Sequence, residues 1–211
     1  MWSSIDEVGK DEQSKDETAI REAHERGDLD AAVRAGLDRY QAELYSFLCA
    51  RLRSESDAHE VFGQLTEDLW RGIARFRWQC SFRTWLYTLA RHAAIRFERS
   101  PANQAGRRAG LSRAPEPAAA ERTRTRPYLR TDVKDRFAAL RATLSPDEQS
   151  LLILRVDRGL SWEEVARVMH DGDPAPATLT RQATNLRQRF RQLTRRLRQR
   201  ASAEGLLDDE G

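Results

Sequence analysis

The chain has 211 residues, of which 39% are hydrophobic and 33% are charged, and its formal net charge is +3. This composition fits one large or two small helix-rich soluble domains. No apolar run approaches the roughly 20 residues of a transmembrane helix, so we do not expect a membrane protein. The start also lacks a signal-peptide pattern. Cys49 and Cys80 form no CxxC pair, and the four histidines share no ligand spacing. We therefore expect a cytoplasmic protein with no disulfide framework, no metal and no cofactor.

Charge is unevenly distributed along the chain. The first 30 residues hold ten acids against four bases, whereas Thr178–Arg200 holds eight arginines and no acid. Such a basic segment is a candidate for binding a polyanion, although a solvated helix face would show the same pattern. Residues 1–16 are acidic and lack apolar periodicity, which predicts a disordered head.

A first helical domain is predicted over residues 17–100. Asp28 is placed to cap a helix whose apolar residues recur at three- and four-residue steps over residues 29–52. A second helix is predicted to open at Asp57, with a glutamate three positions later at capping-box spacing. A third amphipathic helix, over residues 82–97, follows a polar loop.

A second domain is predicted over residues 131–200, after a Pro-, Ala- and Arg-rich flexible linker at 101–130. Ser145 and Ser161 each begin a capping box, and a long helix is predicted from about Thr178. The last eleven residues form a tail. Because no stretch alternates as a strand does, the predicted fold class is all-α: two small helical domains joined by a flexible linker, the C-terminal one a helix-turn-helix.

The short capped helix, the turn and the long arginine-rich helix have the anatomy of a helix-turn-helix unit. The apolar stripe of the long helix would pack inward and leave the opposite face for a major groove. Arg and Asn read guanine and adenine edges, and further arginines bind phosphates. A generic pair of packed helices would show the same periodicity. The residues predicted to bind DNA are Thr178, Thr180, Arg181, Gln182, Thr184, Asn185, Arg187 and Arg191.

Two stretches resemble the extracytoplasmic-function sigma factors of the sigma-70 family. Residues 144–155 (LSPDEQSLLILR), with 159–166 (GLSWEEVA) and Thr178-Leu179, are similar to region 4 of that family, and residues 81–92 (SFRTWLYTLARH) are similar to region 2. The resemblance implies that the second domain binds the −35 promoter element, while the first grips RNA polymerase and opens the −10 element. Its implied partners are promoter DNA, core RNA polymerase through the β′ clamp helices and the β flap, and, as a candidate regulator, an anti-sigma factor.

The resemblance also implies roles for residues of the first domain. Trp78 lies in a polar loop, where an aromatic ring could stack an unpaired base; the family captures a flipped base with that loop, but a structural role for the ring stays open. The arginines of the following helix could clamp phosphates or form an ordinary solvated face. The residues predicted at the −10 element are Trp78, Gln79, Ser81, Arg83, Arg91, His92, Arg96 and Arg99, and those predicted to bind core polymerase are Asp57, Glu60, Gln64, Glu67 and Asp68.

Two other functions fit parts of the sequence. A one-component transcription regulator would bind duplex DNA unaided and would not need the aromatic and basic cluster between Arg75 and Arg99. An anti-sigma or scaffold-type helical interaction protein would leave the arginines of the last helix unexplained. The sequence shows no Walker loop, no nucleophile-base pattern and no paired carboxylates in an apolar setting, so we expect no catalytic residues and no enzyme activity.

Overall fold

The computed structural model describes residues 17–103, 139–141, 143–172 and 174–203. Regular structure in these ranges is entirely helical, which confirms the predicted all-α class. They divide into two compact units: one comprises residues 17–103 with 167–172, and the other comprises the remaining described residues. The predicted acidic head, the tail beyond residue 203 and nearly all of the predicted linker lie outside the described residues.

Within its described residues, the first unit contains four α-helices and a short 3-10 turn. Side chains cap three of the helices: Asp28, Ser54 and Ser81 each accept a hydrogen bond from a backbone amide three residues later. The elements are α1 (Thr18–Glu25), α2 (Leu29–Leu52), α3 (Glu55–Gly72), the 3-10 turn Ile73–Arg75 and α4 (Phe82–Arg99).

The predicted N-cap of α3 is wrong by three residues. Ser54, not Asp57, is the N-cap: its backbone is extended and its hydroxyl accepts a hydrogen bond from the Asp57 amide at 3.2 Å. Asp57 instead lies in the first turn, where a carboxylate complements the positive end of the helix dipole. Both residues are common near helix starts, so local sequence alone did not separate them.

The core of the first unit lies between α2, α3 and α4. Phe47 on α2 and Tyr87 on α4 are fully buried and meet edge to face, with ring centroids 5.4 Å apart. Gly36 provides space for Phe82, since a Cβ atom at Gly36 would lie 2.4 Å from a carbon of that ring. The start of α4 is therefore fixed against α2.

The second unit contains the predicted helix-turn-helix. Its elements are α5 (Pro146–Leu152) with a following π turn (Ile153–Asp157), α6 (Trp162–Met169), whose last turn groups with the first unit, and α7 (Pro176–Ala203). Both predicted capping boxes are present, at Ser145 and Ser161. Its core includes Leu144, Leu152 and Leu193, with Phe190 and Leu197 packed against them. No described helix is both long and apolar enough to cross a membrane.

Candidate nucleic-acid interface

The arginine-rich helix α7 has a buried face and a polar exposed face, as predicted. Leu179, Ala183, Leu186 and Leu193 are each 8% exposed or less. Seven of the eight residues predicted to bind DNA are exposed and Gln182 is half-buried; the exposed ones are Thr178, Thr180, Arg181, Thr184, Asn185, Arg187 and Arg191. The described part of α7 therefore presents arginine, asparagine and hydroxyl groups along one solvent-facing side.

Trp162 of α6 supports the start of this exposed face. Its ring meets Phe190 at a centroid distance of 5.4 Å, and the Arg187 guanidinium lies 5.6 Å from the ring centre. The Arg155 guanidinium also lies over this ring, at 5.0 Å. A guanidinium held on an aromatic ring has fewer orientations to lose when it binds a phosphate or a base.

Further along α7, two arginines bind within the second unit. Arg196 donates to the carboxylate of Glu148, and Arg200 donates to the Thr143 hydroxyl at 2.8 Å. The hydrogen bond from Arg196 lowers the pKa of Glu148, although partial burial acts in the opposite direction. Arg196 holds α7 against α5 and Arg200 holds it against the residues before α5, whereas the arginines nearer the start of α7 face solvent.

In the first unit, Trp78 lies in the irregular loop between the 3-10 turn and α4. Its side chain is half-buried, between Phe76 at a centroid distance of 5.0 Å and Phe82 at 6.1 Å. The Arg21 guanidinium of α1 lies 5.0 Å from the ring centre. Trp78 also has a positive φ of 55°, a strained conformation for a bulky residue. Packing thus holds this aromatic ring at the edge of the loop.

The other predicted loop residues differ in exposure. Gln79 is exposed, whereas the Ser81 hydroxyl caps α4, accepting from the Thr84 amide at 3.0 Å and donating to the Thr84 hydroxyl at 2.8 Å. Trp85 is half-buried and stacks on Phe76 with centroids 4.5 Å apart. The loop therefore joins a continuous aromatic cluster on one side to polar, exposed groups on the other.

The predicted arginines of α4 have different environments. Arg83 donates twice to the Glu43 carboxylate, at 2.8 and 3.0 Å, and Arg91 is only 5% exposed. Arg96 is half-exposed and pairs with Asp68 of α3. Arg99 is exposed and His92 is half-buried. In this conformation Arg83 and Arg91 belong to the packed interior, and Arg96 and Arg99 face solvent.

The residues predicted to bind polymerase lie together on α3. Glu60 and Glu67 are exposed; Asp57, Gln64 and Asp68 are half-buried. The side-chain amide nitrogen of Gln64 lies 3.5 Å from a carboxylate oxygen of Glu60, and the Glu67 carboxylate accepts a hydrogen bond from Arg71 at 2.9 Å. In each pair the two residues are one helical turn apart on the same helix. The five side chains recur at three- and four-residue steps and so form an acidic and polar stripe along the helix.

Sequence reasoning missed four residues around the loop. Arg75 and Arg77 are exposed beside Trp78. Glu17 accepts hydrogen bonds from the first amides of α4, and His24 accepts one from the Trp78 indole. Arg75 and Arg77 could have been found from the sequence, because they are basic residues next to an aromatic one. Glu17 and His24 could not, because they precede their partners by more than fifty positions. Within the described ranges, no group of His, Cys, Asp or Glu could hold a metal ion.

Comparisons with known proteins identify the first unit. A family model described as Sigma-70 region 2 matches residues 37–103, which include most of α2, all of α3 and α4, and the Trp78 loop. The RNA polymerase sigma factor YlaC of Bacillus subtilis (strain 168) is 29% identical to this chain over 138 residues, covering 62% of this chain and 75% of the relative. Over the helices and the Trp78 loop of the first unit, the chain is therefore similar to sigma factors of the sigma-70 family.

Proposed function

We propose that this protein is a sigma factor of the extracytoplasmic-function type, which binds core RNA polymerase and directs promoter-specific initiation by recognising promoter DNA and helping to melt it. One observation carries the proposal: the family match to region 2 covers an aromatic loop with exposed arginines, in a chain that also has a basic helix-turn-helix unit. A regulator of closed duplex DNA needs only the helix-turn-helix unit and not the aromatic loop.

The first unit supplies the strand-opening surface in this proposal. An extruded base of the −10 element would stack against the aromatic cluster at Trp78, while exposed Arg75, Arg77, Arg96 and Arg99 contact phosphates of the single strand. Extruding a base costs a few kcal/mol of unstacking and unpairing. Stacking on an aromatic side chain contributes roughly 1–3 kcal/mol per base. The two terms are comparable, so capture of even one base shifts the balance towards the open state.

The second unit supplies duplex recognition. The start of α7 would enter the major groove of the −35 element, with Arg181, Gln182 and Asn185 near base edges and Arg187 and Arg191 near phosphates. Arginine and amide side chains can each make bidentate contacts to a purine edge, which is the basis of direct readout.

Core polymerase is the protein partner in this proposal. The acidic and polar stripe on α3 fits a basic helical surface, which we assign to the β′ clamp helices, and the second unit would contact the β flap. An anti-sigma factor is a candidate regulator that would compete for these surfaces. The chain needs no active site for this function, because the polymerase performs the chemistry.

Reconstituted transcription tests the proposal. Purified core polymerase should start diffusely on genomic DNA fragments, whereas core with this protein should start at discrete positions preceded by two shared sequence elements. Sequencing the 5′ ends of the transcripts measures this. A one-component regulator would bind duplex DNA without core and would add no start sites, and a helical interaction protein would do neither.

A variant separates polymerase binding from DNA recognition. Replacing Glu60 and Glu67 by Lys should reduce co-purification with core polymerase and abolish the discrete starts. Replacing Glu22 and Glu25, exposed on α1, by Lys makes the same charge change away from the stripe and serves as the matched control. Equal effects of the two double variants would contradict the assignment of α3.

A further inference from the structure

His24 connects two segments of the first unit through both nitrogens of its ring. Nε2 lies 2.9 Å from the carbonyl oxygen of Ile73, and Nδ1 lies 3.3 Å from the indole nitrogen of Trp78. The ring also meets the Trp78 ring edge to face, with centroids 6.0 Å apart. His24 is on α1, which precedes the matched residues 37–103. The Trp78 loop is therefore held by a helix that the family match does not include.

The partners of the two nitrogens select one state of the imidazole. An indole N–H can only donate a hydrogen bond, so Nδ1 of His24 accepts it from Trp78. A carbonyl oxygen can only accept, so Nε2 carries the proton and donates it to Ile73. The ring is thus neutral, with a fixed donor and a fixed acceptor. We call this pair of hydrogen bonds the His24 bridge.

Trp78 needs a directional contact because its own backbone does not favour the observed geometry. A φ of 55° is rare for a bulky residue, and such strain persists only where the surroundings hold it in place. The contacts of the ring with Phe76, Phe82 and Arg21 are ring and cation contacts, which are less directional than a hydrogen bond. The N–H group is the one polar atom of the side chain, and its hydrogen bond to His24 fixes the direction in which the ring lies.

We propose that His24 is a positioning residue for strand capture: it holds the Trp78 indole in the orientation that an extruded promoter base meets. This inference rests on the proposed function of the loop. His24 acts through Trp78 and need not touch DNA. A preorganised ring loses less conformational freedom when the base arrives. Loss of the bridge should therefore weaken capture even though the aromatic ring and the exposed arginines remain.

Four variants of the full chain test the bridge. His24→Leu removes both hydrogen bonds, and His24→Gln keeps a side chain with one donor and one acceptor group. Trp78→Phe removes the donor from the other side while keeping an aromatic ring. Glu22→Gln changes an exposed residue of α1 and is the matched control. Circular dichroism and thermal melting establish that each variant folds, and His24→Gln keeps the test decisive if His24→Leu does not.

The structural measurement is heteronuclear NMR of the indole N–H groups. The chain has five tryptophans, and the signal that disappears in Trp78→Phe belongs to Trp78. In His24→Leu this signal should shift and its proton should exchange faster with water, whereas Glu22→Gln should leave it in place. An unchanged Trp78 signal in His24→Leu would overturn the proposal, because the bridge would then be absent in solution.

The functional measurement is permanganate reactivity of promoter thymines in complexes with core polymerase. His24→Leu should reduce reactivity about two- to tenfold, the range expected for one net hydrogen bond, and His24→Gln should recover most of it. In the Trp78→Phe background, His24→Leu should add less than a twofold change, because the bond to Trp78 is already lost.

Two further outcomes separate this inference from the proposed function. If Trp78→Ala impairs melting but His24→Leu melts promoters as well as wild type, base capture stands and the positioning role is wrong. If Trp78→Ala also melts promoters normally, base capture at this loop fails and the role of His24 fails with it. The discrete start sites in reconstituted transcription would still decide whether the protein is a sigma factor.

Discussion

Glu17 accepts a hydrogen bond from the backbone amide of Phe82 at 2.7 Å, sixty-five residues further along the chain. The same carboxylate accepts from the Arg83 amide at 2.8 Å and from the Tyr40 hydroxyl at 3.1 Å, and Glu17 is only 7% exposed. Burial and the nearby carboxylate raise the pKa of Tyr40, so the tyrosine stays a neutral donor. A negative charge at the first amides of a helix stabilises it through the helix dipole and through charged hydrogen bonds.

Removing this carboxylate should loosen the start of α4. We expect Glu17→Leu to destabilise the start of α4 by about 1–3 kcal/mol, because the variant leaves buried donors without their acceptor. Glu17→Gln should destabilise it less. Hydrogen exchange of α4 peptides measures the local effect, with Glu22→Gln as the control on exposed α1 surface. If Glu17→Leu exchanges like the control, the cap is not important for stability.

Two glycines provide a matched pair for packing in the first unit. Gly36→Ala should destabilise the protein by about 1–3 kcal/mol, because the added Cβ would meet the ring of Phe82 at 2.4 Å. Gly63→Ala adds the same atom to α3 with nothing within 4 Å, and should stabilise it by up to about 1 kcal/mol through helix propensity. Urea denaturation followed by circular dichroism gives both values. Shifts of the same sign would contradict the close approach at Gly36.

Trp78→Ala should impair promoter melting while leaving earlier steps intact. Polymerase binding and closed-complex formation should stay near wild type, because they do not need an unpaired base. Permanganate reactivity on duplex promoters should fall, and a pre-opened bubble template should restore part of it by removing the unpairing cost. Normal melting of duplex promoters by this variant would mean that the ring has a structural role only.

Neutralising the exposed arginines at the start of α7 should weaken promoter binding in a salt-dependent manner. Each lost phosphate contact lowers the slope of log K against log salt by about 0.9 on duplex DNA. Replacing Arg181, Arg187 and Arg191 by Ala should therefore reduce the slope by up to about 1.8, for the two phosphate contacts assigned to Arg187 and Arg191, measured on polymerase complexes with a mapped promoter. Arg189→Ala, on the other flank of the exposed surface, is the control and should change the slope least. An unchanged slope with helicity retained would disprove the assignment.

The Glu148–Arg196 pair should give the second unit a pH-dependent stability. Because hydrogen bonding by Arg196 lowers the pKa of Glu148 in the folded state, the ionised carboxylate favours folding above its ordinary pKa of 4.5. That contribution is lost as the pH falls through the lower, folded-state pKa. Glu148→Gln should therefore melt below wild type at about pH 7 and approach it at about pH 3. Glu163→Gln, exposed on α6, should show no such convergence.

Most features of the fold that depend on local sequence were predicted correctly, the N-cap of α3 being the exception. Capping at Asp28, Ser145 and Ser161 involves residues within four positions, and the buried stripe of α7 follows from a helical repeat. The roles of the arginines on α4 were less predictable. Arg83 looks like any solvated basic residue until Glu43, forty positions earlier, is placed beside it. Such pairs depend on tertiary packing, which helical periodicity does not specify.

The bridge at His24 and the cap at Glu17 determine where a soluble fragment of the first unit can begin. A fragment cut at residue 37, where the family match starts, would lack α1 with both residues. It would keep all of α3 and α4 but only the part of α2 from residue 37 onward, and the Trp78 indole would lose its acceptor and the Phe82 amide its carboxylate. Fragments for crystallisation or for isotope labelling should therefore begin before Glu17 and include all of α1.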